Sequence, residues 1–409
     1  MKRVVVTGMS AITALGDDWS TFRSALEQGE NAVQVMPEWQ KLDGLNTCLA
    51  APVKHFEKPA HYKRKMVRSM GRVSLMATRA TELALEQAEL LNHAALTDGS
   101  TGVSYGSSIG STAPLVAFGN MMENHTMDGV TATSYIQMMS HTAPVNIGVF
   151  FGAKGRVITT SSACTSGSQG IGYAYEAIKF GKQKAMIAGG AEELCVTEAA
   201  VFDTLYATST KNAEPKLTPK PFDKDRDGLV IGEGACTLIL EELEHAQARG
   251  ANILAEIVGF GSNSDGKHVT QPTAATMQIA IELALEDANL DANVIGYVNA
   301  HGTATDKGDI AESNATASVF GNKVPLSSLK SYLGHTLGAC GSIEAWACIN
   351  MMEDNWFAPT LNLQNVDEQC ADLDYIVDQG REITTDYVMS NNFAFGGINT
   401  SLIFKRWQG

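Results

Sequence analysis

Three residues of this chain can do nucleophilic or acid–base chemistry and stand in settings that suit it. Cys164 lies in "TTSSACTSGSQGIG", where a β-like run, "GRVITTSS", gives way to a helix-like run, "SQGIGYAYEAIKF". A thiol at a helix N-terminus faces unpaired backbone N–H groups and the positive end of the helix dipole. Both favour thiolate, so the sequence predicts a lowered pKa at Cys164. Gly167 and Gly170 keep the helix start slim, which would let a bulky thioester approach. A lone cysteine is more often a buried structural one, and a nucleophile needs help from elsewhere in the chain. His301 ends "GYVNAHG", and His335 stands in "KSYLGHTLGACG" just before a helix-like run. Each alone reads as a hydrogen-bonded structural histidine. Two glycine-flanked histidines at strand ends, with Cys164 at a third, read as one convergent site.

The elements that must position them alternate along the chain. Strand candidates are "RVVVTG", "TGVSYGSS", "RVITTSS", "KAMIAGGAEE", "ACTLILEEL", "ILAEIVGFGSN", "GYVNAHG", "VPLSSLKS", "YVMSNNF" and "TSLIFK". Helix candidates are 73–90, 166–180, 274–289, 309–319 and 341–353. The first places Leu75, Met76, Leu83 and Leu85 near one face, with Arg72, Arg79 and Glu82 elsewhere. Such alternation predicts an α/β fold with a largely parallel sheet and helices on its faces. No Pro- or Gly/Ser-rich linker divides the chain. The best seam is "HAQARGAN", where a charged helix ends at Gly250, giving two comparable α/β halves, 1–250 and 251–409.

Composition excludes several classes. The net charge of −15 over 409 residues argues against general nucleic-acid binding. No apolar run approaches the ~20 residues a bilayer span needs. The start, "MKRVVVTGMSAITALG", imitates a signal peptide, but "VVVTG" reads better as a buried strand closed by Gly8. Seven cysteines, an odd count without paired spacing, fit free thiols in a reducing cytoplasm. "DKDRDG" at 223–228 opens like a calcium loop, but its twelfth position is Gly234, not Glu. His301, Asp306 and Asp309 read as a donor histidine near two acids, not as a metal cluster, and no metal is expected. Residues 54–72, "KHFEKPAHYKRKMVRSMGR", hold seven Lys or Arg and one Glu. Against so acidic a chain, that run reads as a solvated helical face or as a dock for an acidic partner.

These motifs together resemble the elongating β-ketoacyl-acyl-carrier-protein synthases of the thiolase superfamily. The resemblance is carried by "SSACTSG" at Cys164, "NAHGTATDKGD" at His301, "KSYLGHTLGACGSIE" at Lys330 and His335, and "NNFAFGGIN" near the end. "AGGAEE", "PFDKDRDGLVIGEGA" and "LEELEHAQARGA" support it, in order across nearly the whole chain. It implies a thiolase-like five-layered αβαβα fold of two similar halves, the first with the nucleophile, the second with both histidines. It implies ping-pong chemistry: Cys164 takes an acyl group from a carrier protein, and His301 and His335, as neutral donors, stabilise the enolate formed when malonyl-carrier protein loses CO₂. The backbone N–H groups of Cys164 and Phe395 would form the hole for the acyl carbonyl oxygen. Lys330 would orient the site electrostatically with Glu344 as ionic partner, and Glu344 would also help bind the substrate. Thr303 and Thr305 match the threonines that meet the phosphopantetheine arm, Phe395 the gate residue and Ile109 a residue of the acyl pocket. Arg64 and Lys65 match residues that meet the carrier, and Arg68 lies in the same run. No cofactor is implied beyond the carrier's phosphopantetheine arm, which belongs to the substrate. A dimer is implied, either a homodimer or a heterodimer with a related ketosynthase or chain-length factor.

Two positions depart from the family's usual gate motif, FGFGGTN. Ala394 replaces a glycine, which predicts a stiffer gate turn because alanine resists positive φ. Ile398 replaces a threonine and removes a hydroxyl. "MPEWQ" and "FAFGGINTS" are similar to ketosynthases of bacterial aryl-polyene clusters, which would make the substrate a conjugated aryl-polyenoyl thioester. The alternatives are a non-catalytic chain-length-factor subunit, against which Cys164 argues, and a coenzyme A-dependent thiolase. Cys340 could serve as the second cysteine of a thiolase, but the Lys330/His335 context favours decarboxylating condensation.

Overall fold

The computed structural model describes residues 1–409. Its eleven-stranded sheet contains one strand order twice. Strands β1 (Val4–Thr13), β2 (Thr101–Gly106), β3 (Val157–Thr160), β4 (Ala185–Glu192) and β5 (Gly234–Glu242) lie in the order β1-β5-β4-β2-β3. Strands β6 (Ala255–Ser264), β7 (Tyr297–Asn299), β8 (Pro325–Ser327), β9 (Tyr387–Phe393) and β10 (Ile398–Arg406) repeat it as β6-β10-β9-β7-β8. The halves meet where β1 pairs antiparallel with β6, and a short strand, Asp374–Tyr375, finishes the far edge.

The sheet is not largely parallel. In each half only the outer pairs are parallel, β4 with β2 and β2 with β3, then β9 with β7 and β7 with β8. The inner pairs and the junction are antiparallel. Counting helices between strands misses this. β9 and β10 are joined by a tight turn at Gly396 and Gly397, and a tight turn can only return the chain antiparallel.

Helices α1 (Arg72–Gln87) and α2 (Thr142–Phe151) cover the first half-sheet on its outer side, and α4 (Ala274–Ala288) and α5 (Asp306–Phe320) cover the second. Between the half-sheets lie α3 (Ser166–Lys179) and α6 (Cys340–Asp354), packed on each other and on strands of both halves. Twelve of fourteen residues of α3 and twelve of fifteen of α6 are buried, as a middle layer requires. This is the expected αβαβα stack. The five expected helices all form, and β1 is the buried strand read from "VVVTG".

Helices Trp19–Glu27, Ala113–Asn124, Ser134–Met138, α2 and Val196–Asp203 were not expected. "TAPVNIGVFF" of α2 is rich in β-branched and aromatic residues, so tertiary packing overrides local preference there. In α1, Met76 and Leu85 are buried but Leu75 and Leu83 only half so. Glu82, expected away from the core, is buried and hydrogen-bonded to His61 at 2.7 Å and to the Tyr62 hydroxyl at 3.0 Å.

Candidate active site

Cys164 sits in a 3₁₀ turn, Ala163–Thr165, between β3 and α3. Ala163 holds φ of +51°, a left-handed conformation that costs a non-glycine residue of order 1–3 kcal/mol. The surrounding Ser and Thr residues hold it there. Thr160 Oγ1 donates to the Ser166 carbonyl at 2.8 Å, Ser166 Oγ to the Ala163 carbonyl at 2.7 Å, and Thr165 Oγ1 to the Ser162 carbonyl at 2.8 Å. The second half makes an equivalent turn: Leu337 at φ +46° opens Leu337–Ala339, which runs into α6. Here the two middle helices approach closely. A Cβ on Gly167 would stand 2.9 Å from the Gly338 carbonyl oxygen. Gly167 therefore serves helix–helix packing, not the approach of a thioester, and Gly170 packs likewise against backbone carbonyls of Gly189 and Ser104.

His335 Nε2 lies 2.9 Å from Cys164 Sγ. Its backbone is pinned on both sides, N–H to the Val230 carbonyl at 2.7 Å and C=O from the Gly232 N–H at 2.8 Å. The Leu337 N–H donates to His335 Nδ1 at 3.3 Å, so in the neutral ring Nε2 carries the hydrogen and aims it at the thiol. The His301 ring stands 5.2 Å from that of His335, nearly perpendicular. Asn392 donates to Glu344 Oε2 at 2.6 Å, and a carboxylate only accepts, so the amide NH₂ is fixed on that side. The same NH₂ faces His301 Nδ1 at 3.4 Å, which leaves the hydrogen of His301 on Nε2 as well. One ring nitrogen of each histidine and Cys164 Sγ lie within 4.8 Å of one another, all buried.

Electrostatics fit neutral donors. Burial, then the Lys330 charge, holds His301 and His335 well below the usual imidazole range. Lys330 and Glu344 form a buried ion pair, each 2% exposed. Burial works against the lysine's charge, but Cys340 and Glu344 beside it raise its pKa. Glu344 is pushed up by burial and drawn back by Lys330.

The thiol runs against expectation. Burial pushes Cys164 up to about 11, although the Phe395 N–H, Lys330 and its own N–H pull the other way. A helix N-terminus favours thiolate only modestly, and full desolvation outweighs it.

The site opens into a cavity of about 400 Å³ with Cys164, His301 and His335 on its wall beside Thr303, Thr305 and Phe395. The two threonine hydroxyls touch at 2.9 Å. Phe395 packs edge-on against Phe202 at 5.8 Å. The positive-φ positions of its turn are Gly396 and Gly397, whereas Ala394 has an ordinary φ and is buried with Cys164 and Leu337. Ala394 therefore does not stiffen the turn through backbone strain. Glu344 lies outside the cavity lining, tied to Lys330 and Asn392. Ile109 also lies outside it, half-buried, its N–H turned to the Glu192 carboxylate. Asp309 makes no cluster with His301; it accepts the Phe222 N–H at 2.8 Å and pairs with Arg226. Arg64, Lys65 and Arg68 are exposed on turns, not on a helix, away from the cavity.

Sequence reasoning missed Glu312 and passed over Asn392. Glu312, fully buried on α5, accepts the N–H groups of His301 at 2.6 Å and Gly302 at 2.7 Å and so fixes the strand end. Burial raises it to about 8. Acids three apart on α5, Asp309 and Glu312, were the available signal, since both face inward.

Comparison with known proteins agrees over the whole chain. The β-ketoacyl synthase N-terminal domain matches residues 1–246 and the C-terminal domain residues 254–364. The 3-oxoacyl-[acyl-carrier-protein] synthase 2 of Synechocystis is 37% identical, covering 100% of this chain and 99% of its own. A crystal structure of a β-ketoacyl synthase from Burkholderia phymatum superposes with TM-score 0.98 at 63% identity, over all of both chains. The ishigamide ketosynthase/chain length factor structure superposes with TM-score 0.89 at 28% identity, again over all of both chains.

Proposed function

This chain belongs to the β-ketoacyl synthase family and is an acyltransferase with β-ketoacyl-acyl-carrier-protein synthase activity, and from that premise we propose how its own residues divide the work. Cys164 Sγ attacks the carbonyl of an acyl-carrier thioester. The new C–S bond forms as the bond to pantetheine breaks, and the cysteine proton leaves on the departing thiol. N–H groups of Cys164 and Phe395 stabilise the oxyanion. In the second half-reaction malonyl-carrier protein enters past Thr303 and Thr305. Its carboxyl leaves as CO₂, and the electron pair of that C–C bond becomes an enolate held by the Nε2–H groups of His301 and His335. The enolate carbon attacks the acyl group, Cys164 is released, and the product is longer by two carbons.

The observation that carries this reading is the pair of buried neutral histidines, each with Nδ1 occupied as an acceptor, which leaves the hydrogen on Nε2. Developing oxyanions need fixed donors in a dry site. Lys330 is a positioning residue here: its charge helps keep both rings neutral. The carrier would dock on Arg64, Lys65 and Arg68, which are exposed. The partner protein is acidic by the same reading, and its phosphopantetheine arm is the only prosthetic group in the reaction. We extend the proposal to a dimer with a second copy or a related subunit. Its support is the apolar face of Ala113–Asn124 and the β3 edge, where Val116, Met122 and Val157 are exposed. No helix is long and apolar enough to cross a membrane. The aryl-polyenoyl substrate, drawn from "MPEWQ" and "FAFGGINTS", belongs to this proposal too. Intact-mass analysis after mixing with acyl-carrier proteins should find the acyl group on Cys164. An adduct on another residue, or none, would sink the assignment.

A further inference from the structure

The cavity that holds Cys164 opens through an apolar, exposed rim. Leu205 and Tyr206 line it from the first half and Val269 from the second, at 43%, 88% and 56% exposure. A single exposed tyrosine is ordinary. Its backbone is not. Tyr206 holds φ of +54°, in the left-handed region where a bulky side chain is strained. It stands where helix Val196–Asp203 runs out: the Tyr206 N–H donates to the Asp203 carbonyl at 2.9 Å and the Ala207 N–H to the Phe202 carbonyl at 3.0 Å. Glycine is the usual residue at such a helix end. Nothing inside the chain offsets the strain, since the ring faces solvent and its hydroxyl makes no hydrogen bond. Strain kept at a cavity mouth with no internal return points to a partner.

The charges around the mouth say which partner. Of the acids on the lining, Asp306 lies 3.7 Å from Arg226 and Asp227 lies 3.8 Å from Lys211, so both are paired. Asp265 and Glu312 are buried. Lys307, on the lining, and Lys267, two residues before Val269, are exposed and join no ion pair. The free charge at the mouth is therefore positive, on a chain whose net charge is −15. An acidic partner is drawn to such a spot. An arm that reaches Cys164 past Thr303 and Thr305 also brings the body of its carrier to this rim. Val269 sits across the opening from Tyr206 and is tied to the gate turn, its carbonyl accepting the Gly396 N–H at 2.8 Å.

We propose that Tyr206, with Leu205 and Val269, forms an apolar seat at the cavity mouth for an acidic carrier protein, which meets it with an apolar patch at the root of the phosphopantetheine arm. This rests on the reading that the arm enters this cavity to reach Cys164. The seat is separate from Arg64, Lys65 and Arg68, which lie away from the cavity. The test follows the acyl adduct on Cys164 by intact mass, over a range of donor concentrations, with one acyl group supplied on carrier protein or on free pantetheine. Glycine removes the ring and takes positive φ without strain, so Tyr206→Gly should melt no lower than the wild type. It should raise the half-saturating concentration of acyl-carrier protein by about tenfold at an unchanged maximal rate, while Tyr206→Phe stays within about twofold, the scale on which one interface aromatic acts. Transfer from acyl-pantetheine should not change. The ratio between variant and wild type should hold at high salt, because an apolar contact is not screened. An unchanged half-saturating concentration in Tyr206→Gly overturns the proposal. So does equal loss with both donors, a ratio that vanishes at high salt, or a lower melting temperature, which would make the ring a support of the fold. A change in the oligomeric state of Tyr206→Gly alone, read by light scattering, also overturns it, because a second copy would then be the occupant. No adduct on Cys164 from either donor would instead overturn the nucleophile assignment, a result distinct from an adduct that forms equally well in both chains.

Discussion

Removing His335 should separate the two half-reactions. The imidazole delivers one N–H, from Nε2, because Leu337 occupies Nδ1. His335→Ala thus deletes one of two proposed donors to the enolate and leaves His301, still clamped through its backbone by Glu312. Loss of one preorganised oxyanion donor costs about 2.7–4 kcal/mol, a fall of about 10²–10³ in rate. The ring is buried, so the vacated space can admit a water that partly replaces the N–H, which places the expected loss nearer the lower figure. By the proposed roles, acyl transfer to Cys164 relies on other donors, the N–H groups of Cys164 and Phe395, and should fall far less. Cys164→Gln should do the reverse, taking no acyl group while still converting malonyl-carrier protein to acetyl-carrier protein. The assay pairs intact mass for the acyl-enzyme with chromatography of the acetyl-carrier product. If His335→Ala decarboxylates normally while Cys164→Gln does not, the division of roles is wrong.

Three further outcomes follow from the same geometry. Lys330→Ala strands the Glu344 charge in the interior and should lower stability by about 3–5 kcal/mol in denaturant titrations, whereas Lys330→Met with Glu344→Leu should recover most of it but not activity; equal losses in both would remove the ion pair from the explanation. With its thiol at about 11 against an ordinary 9.0, Cys164 should be ~1% as ionised at pH 8 as a free thiol, and iodoacetamide labelling should climb about tenfold per pH unit beyond pH 9, so a plateau below pH 9 contradicts the burial argument. Reversing charge at Arg64, Lys65 and Arg68 should raise KM for malonyl-carrier protein at low salt, fade at high salt and spare a small pantetheine thioester; equal loss with both substrates would mean damage to the fold instead.

Much of this protein is local and was legible in the sequence. Apolar periodicity and glycine boundaries place α1, α3, α4, α5 and α6 within a few residues, because each depends on side chains three or four positions apart. The settings of Cys164, His301 and His335 are equally local. What tertiary structure alone decided involves residues distant in the chain. Cys164 and His335 touch across 171 residues, and the antiparallel junction of β1 with β6 has no trace in either strand's own sequence. The thiol makes the difference plainest. The turn before α3 suggests a lowered pKa, and that pull is real, but it comes from the nearest few amides. Burial comes from α6, the Phe395 turn and the second half-sheet closing around the sulfur. Desolvation acts on the whole charge of the thiolate while the helix end supplies only partial charges, so the fold reverses the sign that the sequence suggests.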